Sequence, residues 1–219
     1  MAGNEAKQEW RMHVPPAYRA PDPQAIVRQW PFAMLVTSDS AGRPFVTQTP
    51  IHFETDAPGE DRLIGHFAKA NPHSRQLADG APVLAVFPGP HTYISPAWYH
   101  ERPTVPTWNY ITAQLRGTIK IFDSDDERRM VLERTVALAE EDSNTGWQLA
   151  DAPEGKVDAL LPHIVAFRIQ VESIEGSTKL SQTHPESDRR SVIEGLEQRA
   201  GEGDLAIAAL MAEAKSAIE

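Results

Sequence analysis

Residues 32–54, FAMLVTSDSAGRPFVTQTPIHFE, carry the pattern from which the fold can be argued. The first seven, FAMLVTS, form a short apolar run of the kind found in buried strands. DSAGR (39–43) is a turn signal, and PFVTQTPIHFE (44–54) alternates between apolar and polar residues as a second strand would. The stretch therefore predicts a β-hairpin, two antiparallel strands joined by a tight turn.

Further strands are predicted along the rest of the chain, most of them joined by links of hairpin length. Six or seven strands connected in this way favour an antiparallel barrel over a fold of alternating strands and helices. The expected fold is therefore mainly β (α+β), an antiparallel barrel with peripheral helices. The predicted boundaries after the hairpin are 63–68, 82–87, 108–122 and 163–176.

Helix signals lie on both sides of the hairpin. Asp22 is a candidate N-cap with Pro23 at the first helical position, and this helix is expected to end before Pro31. Ser124, with Glu127 three residues later, forms a capping-box pattern at the start of an amphipathic helix that reaches about residue 141. Shorter helices or turns are predicted over 71–80 and 157–162.

The C-terminal segment has a different, helical character. Two helices are predicted, over 184–199 and 203–219, with a break at Gly201-Glu202-Gly203. We expect a barrel domain over residues 1–183 and a helical extension over 184–219 that packs on the barrel or on a dimer partner. The second helix carries an apolar stripe made of Leu205, Ala208, Leu210, Met211 and Ile218.

Composition narrows the class of protein. The chain has 219 residues, a formal net charge of −10 and no cysteine. No run of basic residues appears, which disfavours direct binding to nucleic acid or to anionic membranes. The absence of thiols excludes disulfides and thiolate chemistry and fits a reducing compartment. With no signal-peptide pattern and no apolar run of membrane-spanning length, a cytoplasmic protein is expected.

Motifs for common chemistries are missing. The chain contains no G-x-S-x-G, no G-x-x-x-x-G-K-[ST], no G-x-G-x-x-G and no H-E-x-x-H. The sequence therefore gives no support for a serine hydrolase, a P-loop or Rossmann nucleotide-binding protein, or a zinc protease. No metal site is predicted.

Residues 91–110, HTYISPAWYHERPTVPTWNY, mix aromatic rings with hydroxyl and amide groups on a backbone rich in proline. Such a mixture suits a flat ligand with a polar edge, because rings pack on its faces and donors surround its rim. The alternative is a loop whose aromatic side chains simply cap the core.

Two other segments combine polar groups at strand ends. GHFAKANPHSR (65–75) places lysine, arginine and other donors where a strand ends, an arrangement that can hold a phosphate. EGSTKLSQTHPE (175–186) surrounds Leu180 with polar side chains between a strand and a helix. Ordinary solvated strand–loop junctions are the alternative in both cases.

Taken together, these segments resemble one family. MHVPPAYRAPDP (12–23), GHFAKANPH, VLAVFPGPHTYISPAWY (83–99), VPTWNY and KLSQ are similar, in order and over about residues 12–197, to the PaiB family of FMN-binding split barrels. That family is grouped by fold with pyridoxamine-phosphate oxidase and flavin reductases. The resemblance implies a six-stranded antiparallel split barrel that forms a homodimer, with FMN as cofactor at the subunit interface.

Carried over by motif, the resemblance also implies a set of cofactor-binding residues. Catalytic residues are not indicated. The departures lie near the closing loop, where Thr178 precedes KLSQ and Thr183-His184 follow it, and in the short HERPT loop (100–104). The implied FMN-binding residues are Thr37, Thr47, Gln48, Thr49, His66, Lys69, Asn71, Tyr93, Ser95, Trp98, Tyr99, Thr107, Trp108, Asn109, Lys179 and Gln182.

Three functions remain open on this basis. Members of the family are often labelled negative transcriptional regulators, which implies a flavin-containing regulator. The chain is acidic, and its sequence shows neither a helix-turn-helix pattern nor a basic recognition helix. Both observations disfavour direct DNA binding. The alternative is a flavin-dependent oxidoreductase whose small substrate stacks near Trp98 and His91. A second alternative is a non-catalytic flavin- or haem-binding module.

Overall fold

The structure is a computed structural model that describes residues 11–57, 59–100 and 105–214. The chain divides into two compact units. We call residues 27–87 and 114–174 the hairpin unit. The tail unit comprises the residues up to 26, residues 88–113, and the residues from 175 onward.

Six strands form one antiparallel sheet in the order β1-β2-β3-β6-β5-β4, which closes on itself as a barrel. The antiparallel pairs include β1 with β2 and β4, and β3 with β2 and β6. This arrangement confirms the six-stranded antiparallel split barrel. The strands are β1 Phe32–Ser38, β2 Pro44–Phe53, β3 Arg62–Ala68, β4 Pro82–Ile94, β5 Thr107–Ile121 and β6 Ile164–Lys179.

The predicted hairpin at 32–54 is present, and its turn chemistry explains why. Val36 pairs with Val46, and the Asp39 carboxylate accepts hydrogen bonds from the backbone N–H groups of Ala41 and Arg43, both at 2.9 Å. Gly42 adopts a positive φ of 77°, which a glycine takes without a steric cost. The turn therefore sets the register that turns alternate residues of β1, such as Leu35, into the core.

Helices also begin where the sequence predicts. The Asp22 carboxylate accepts a hydrogen bond from the backbone N–H of Ala25 at 3.1 Å, and Ser124 and Glu127 form the reciprocal capping box. Ala200, with φ of 54°, ends one tail helix, and Gly201 precedes the next. The break is therefore shorter than predicted, since Glu202 and Gly203 already belong to the second helix. The stripe residue Ile218 lies outside the described residues. The helices are α1 Pro23–Gln29, α2 Asp125–Ser143, α3 Lys156–Leu160, α4 Glu186–Arg199 and α5 Glu202–Glu213.

Two strand boundaries were predicted wrongly. β4 continues seven residues beyond Phe87, through Pro88 and Pro90 into the segment read as a loop, and β6 continues to Lys179. Pro88 and Pro90 are two residues apart, so both missing N–H groups lie along the same edge of the strand. The pairing of β4 with β1 ends at Val86. The prolines therefore interrupt none of those pairs.

Candidate functional site

A turn directly after β3 gathers several of the predicted residues in the hairpin unit. Asn71 precedes a short 3-10 helix, Pro72–Gln76, and its side-chain oxygen accepts a hydrogen bond from the backbone N–H of His73 at 3.0 Å. The Asn71 amide also donates to the Thr47 hydroxyl at 2.9 Å. The turn is thereby tied to β2.

His73 lies at the centre of this arrangement and is only 2% exposed. Its Nε2 is 2.7 Å from the Thr37 hydroxyl, and its Nδ1 is 2.8 Å from the Thr47 hydroxyl. The ring is stacked against Phe45 and Phe67, with centroid distances of 5.7 and 5.6 Å. Burial lowers the pKa of His73, so the ring is neutral near pH 7 and has one donor and one acceptor nitrogen. We call Thr37, Thr47, Asn71 and His73 the His73 clamp.

The turn held by the His73 clamp carries two cationic side chains, Lys69 and Arg75. The side chains of Lys69 and Arg75 are exposed, whereas the backbone beneath them is bonded. The Lys69 N–H donates to the carbonyl of His163, and the Ser74 hydroxyl donates to the carbonyl of Lys69, each at 2.8 Å. Exposed cations on a fixed backbone can hold a phosphate with little ordering of the chain on binding.

The other predicted residues of the hairpin unit are arranged differently. The Thr49 hydroxyl donates to the carbonyl of His66. Burial lowers the pKa of His66, whose buried Nδ1 has no hydrogen-bond partner among the described residues. Gln48 is exposed, because it points to the opposite face of β2 from Thr47 and Thr49. Thus Thr37, Thr47 and Asn71 meet on His73, and Thr49 meets His66, while Gln48 and Lys69 face solvent.

His73 is the residue that the predicted set omits. It belongs to the GHFAKANPHSR segment, but its role depends on hydroxyl groups from two other strands. The only local signal is its position two residues after the capping asparagine, in Asn71-Pro72-His73.

In the tail unit, the KLSQ segment (179–182) contacts residues near the N-terminus. The Lys179 ammonium donates to the Thr107 hydroxyl and lies 5.7 Å from the centroid of the Tyr18 ring. The Gln182 amide donates to the carbonyls of Ala17 and Thr178 at 3.0 and 2.6 Å. Lys179 and Thr107 are therefore brought together, and the Gln182 side chain braces the loop.

Asn109 is fully buried beneath this loop. Its amide donates to the Ser181 hydroxyl at 3.0 Å and to the Met211 sulfur at 3.3 Å. Ser181 has a positive φ of 58°, an uncommon conformation for a residue with a side chain. Asn109 thus links the β5 strand to the loop and to α5.

The aromatic residues of the tail unit fall into two groups. Tyr93 and Trp108 are 37% and 53% exposed, and their rings meet edge to face at 6.0 Å; the His91 ring lies 6.2 Å from Trp108. We call His91, Tyr93 and Trp108 the aromatic patch. Large exposed rings that contact one another can pack against a flat molecule.

The second aromatic group is covered by other side chains. Trp98 lies beneath α4, with the Arg199 guanidinium 5.0 Å from its ring centroid. Tyr99 is buried and stacks on His184 at 4.6 Å. Ser95 caps the short helix Pro96–Trp98 by accepting a hydrogen bond from the Ala97 N–H at 3.2 Å. In the structure these side chains hold the aromatic segment in place. Glu101–Thr104 of the short loop lie outside the described residues.

An ion pair between the partly exposed Arg199 and the buried Asp204 connects α4, α5 and β4 within the tail unit. Arg199 donates to both Asp204 carboxylate oxygens, at 2.7 and 2.5 Å, and also to the Thr92 hydroxyl at 2.8 Å. The Arg199 guanidinium and the Thr92 hydroxyl lower the pKa of Asp204, against an opposing effect of burial. The carboxylate therefore remains ionised in the folded protein well below its usual range.

Asp204→Asn is expected to lower the free energy of unfolding by about 1 kcal/mol at pH 7, since it removes a buried carboxylate charge whose guanidinium partner is partly screened by water. The pKa of Asp204 is lower in the folded state, so its contribution is complete above the unfolded pKa of about 3.9 and is lost as pH falls below it. Chemical denaturation at pH 7 and pH 3 should show the difference between variant and wild type shrinking at pH 3. An equal difference at both values would contradict the assignment.

Among residues 11–57, 59–100 and 105–214, no cluster of three or more His, Asp or Glu side chains is arranged to hold a metal ion. None of the helices in the described part of the chain has the length and apolar character needed to cross a membrane.

The strand order defines the class of the protein: an antiparallel six-stranded split barrel. The sequence profile of the family described as "Putative FMN-binding domain" matches residues 12–173. The chain therefore belongs to the PaiB family of flavin-binding split barrels, which confirms the resemblance.

Individual relatives agree with this assignment. "Protease synthase and sporulation protein PAI 2" of Bacillus subtilis is 33% identical over 207 residues, covering 91% of this chain and 96% of its own length. A putative 5-nitroimidazole antibiotic resistance protein from Bacteroides thetaiotaomicron matches with a TM-score of 0.54 at 16% identity, over 73% of this chain and 85% of that one. An FAD and heme binding protein from Mycobacterium smegmatis gives a TM-score of 0.53 at 16% identity, over 74% and 73% of the two chains. At such identities the two structures bear on the fold alone.

Proposed function

We propose that the protein binds FMN and holds the FMN phosphate on the turn after β3. The observation that carries the proposal is the His73 clamp, which fixes a turn whose exposed side chains include Lys69 and Arg75. The donor set fits a dianion, because an ammonium and a guanidinium stand on the same short turn. FMN, when bound, would supply reversible redox chemistry. The remaining residues of the implied set stay predictions.

Lys69→Ala is expected to weaken FMN binding about tenfold, because one charge-assisted contact to the phosphate is lost. The affinity for riboflavin, which has the same ring system and no phosphate, should not change. Quenching of flavin fluorescence during titration of the flavin-free protein measures both affinities.

Lys156→Ala is the matched control, since Lys156 is an exposed lysine of the same unit that lies on α3. Its affinity for FMN should equal that of the wild type. If Lys69→Ala changed the FMN and riboflavin affinities by equal factors, the phosphate assignment would be wrong.

A homodimer with FMN at its interface is part of the proposal. The outer face of the β2–β1–β4 strands supports it, since apolar side chains stand side by side there: Val36 pairs with Val46 on β2 and with Leu84 on β4. Val46 is 57% exposed. Contiguous exposed apolar surface on a sheet commonly marks a protein–protein interface.

Val46→Lys is expected to convert the dimer to a monomer, because a charge would be placed in the apolar contact. Size-exclusion chromatography with light scattering should give twice the 24.2 kDa chain mass for the wild type and a single chain mass for the variant. Leu205→Lys is the control: Leu205 is 49% exposed on α5, and its substitution should leave the dimer intact. A monomeric wild type would refute the proposal.

We favour a redox role for the bound flavin over direct regulation of transcription. The aromatic patch supports this choice, since its exposed rings offer a surface for a small flat substrate. On α4, by contrast, Arg199 is engaged with Asp204, and Arg189 is buried and donates to the carbonyls of Met211 and Ala214. The whole chain has a net charge of −10, and a helix with its arginines engaged in this way is poorly suited to contact phosphates. A cytoplasmic location completes the proposal.

Spectroscopy and turnover separate the candidate functions. An oxidoreductase should be bleached by NAD(P)H under nitrogen and should recover its flavin bands when a suitable acceptor is added. A transcriptional regulator should instead bind DNA with an affinity that falls steeply as salt increases. A Soret band in the purified protein would favour the haem-binding alternative, to which the exposed His91 could contribute a ligand.

A further inference from the structure

The hairpin unit also contains a cavity. Its volume is about 470 Å³, within the range of small-molecule sites. None of the residues that line it belongs to the implied set of FMN-binding residues. We call it the His52 pocket. Its apolar wall includes Val27 of α1, Phe32 of β1, Phe53 of β2 and Leu138 of α2.

His52 is the buried polar group of this wall. The residue is 9% exposed, and neither ring nitrogen makes a hydrogen bond to another described residue. Burial lowers the pKa of His52 to about 4, with smaller contributions from Arg134 and His66. A neutral imidazole in a cavity offers one donor and one acceptor to an occupant.

Two guanidinium groups also line the pocket. Arg28 lies 4.6 Å above the centroid of the Phe53 ring. Arg134 donates to the Phe53 carbonyl at 3.4 Å and to the carboxylate of Asp56. Hydrogen bonding and charge from Arg134, followed by charge from Arg28, lower the pKa of Asp56.

Asp56 indicates that the pocket accommodates a carboxylate beside Arg134. Its side chain is 76% exposed on the loop after β2, yet its carboxylate is bonded to Arg134. The chain thus places one of its own carboxylates against the guanidinium, beside an apolar cavity. Glu141 of α2 also lines the pocket and would repel an anion of higher charge.

We propose that the His52 pocket binds a small organic monoanion, a carboxylate on an apolar or aromatic body. The ligand carboxylate takes the place of the Asp56 carboxylate on Arg134, and its body packs against Phe32, Phe53 and Leu138. His52 hydrogen-bonds the ligand from the buried side. Besides His52, the charged groups that line the pocket are Arg28 of α1, Arg134 and Glu141 of α2 and Asp56 of the loop, and His66 of β3 also lowers the pKa of His52.

Phenylacetate is a suitable probe, and 2-phenylethanol is its neutral counterpart of similar shape. Calorimetric titration of the full-length protein should show that Asp56→Ala binds phenylacetate about tenfold more tightly than the wild type, since the competing carboxylate is gone. Arg134→Gln should bind it about tenfold more weakly. Binding of 2-phenylethanol should be unaffected by either change.

Nuclear magnetic resonance of histidine-labelled protein gives a second readout. Saturation with phenylacetate should shift the ring signals of His52, assigned with a His52→Gln variant, more than those of exposed His163. Because Asp56 is on an exposed loop, Asp56→Ala should fold even if Arg134→Gln does not. The proposal is overturned if Asp56→Ala gains no affinity, or if the His52 signals do not move at saturation.

Discussion

His73→Ala is expected to lower the free energy of unfolding by about 3–5 kcal/mol, the range for removing a large buried side chain with its hydrogen bonds. The substitution leaves the hydroxyls of Thr37 and Thr47 buried without the imidazole, and it opens a cavity between Phe45 and Phe67. It also frees the turn that bears Lys69. The variant should therefore lose FMN affinity in addition to stability.

Urea denaturation followed by circular dichroism measures the first effect, and flavin fluorescence measures the second. His163→Ala is the matched control, because His163 is exposed and its hydrogen bond to the Lys69 N–H is made by the backbone carbonyl, which the substitution keeps. Its stability should change by less than about 0.5 kcal/mol, as for most surface substitutions. A loss below 1 kcal/mol in His73→Ala would show that the clamp contributes little to stability.

Gly117→Ala is expected to destabilise the protein by at least about 3 kcal/mol, because a single methyl group would be forced into backbone. A β-carbon on Gly117 would lie 2.1 Å from the carbonyl oxygen of Gln170 and 2.9 Å from Cγ2 of Ile169. The methyl group could be accommodated only if the backbones of β5 and β6 moved apart. Only a residue without a side chain allows this close approach.

Guanidinium chloride denaturation provides the measurement. Thr118→Ala, at the next position of β5 and on the opposite face of the strand, serves as the control and should cost about 1 kcal/mol or less. Equal stability of Gly117→Ala and the control would mean that β5 and β6 separate more readily than their geometry indicates.

Local chemistry accounts for what was predicted correctly. The β1–β2 turn depends on Asp39 and Gly42, and the start of α2 depends on Ser124 and Glu127, all within a few residues of the elements they set. The split barrel followed from family motifs spread along the chain. The continuation of β4 through Pro88 was missed, because a proline tolerated at one edge of a strand looks the same in sequence as one that ends it.

The features of the candidate site likewise divide into those that local sequence determines and those that depend on tertiary contacts. The sequence by itself determined the strand pattern, the helix caps, the family and the cationic turn, since each depends on neighbouring residues or a recognisable motif. Tertiary structure alone decided that His73 joins Thr37 and Thr47, that α4 covers Trp98, and that Arg134 meets Asp56 beside His52. These contacts join residues tens of positions apart, so burial and partners depend on packing that no local pattern encodes.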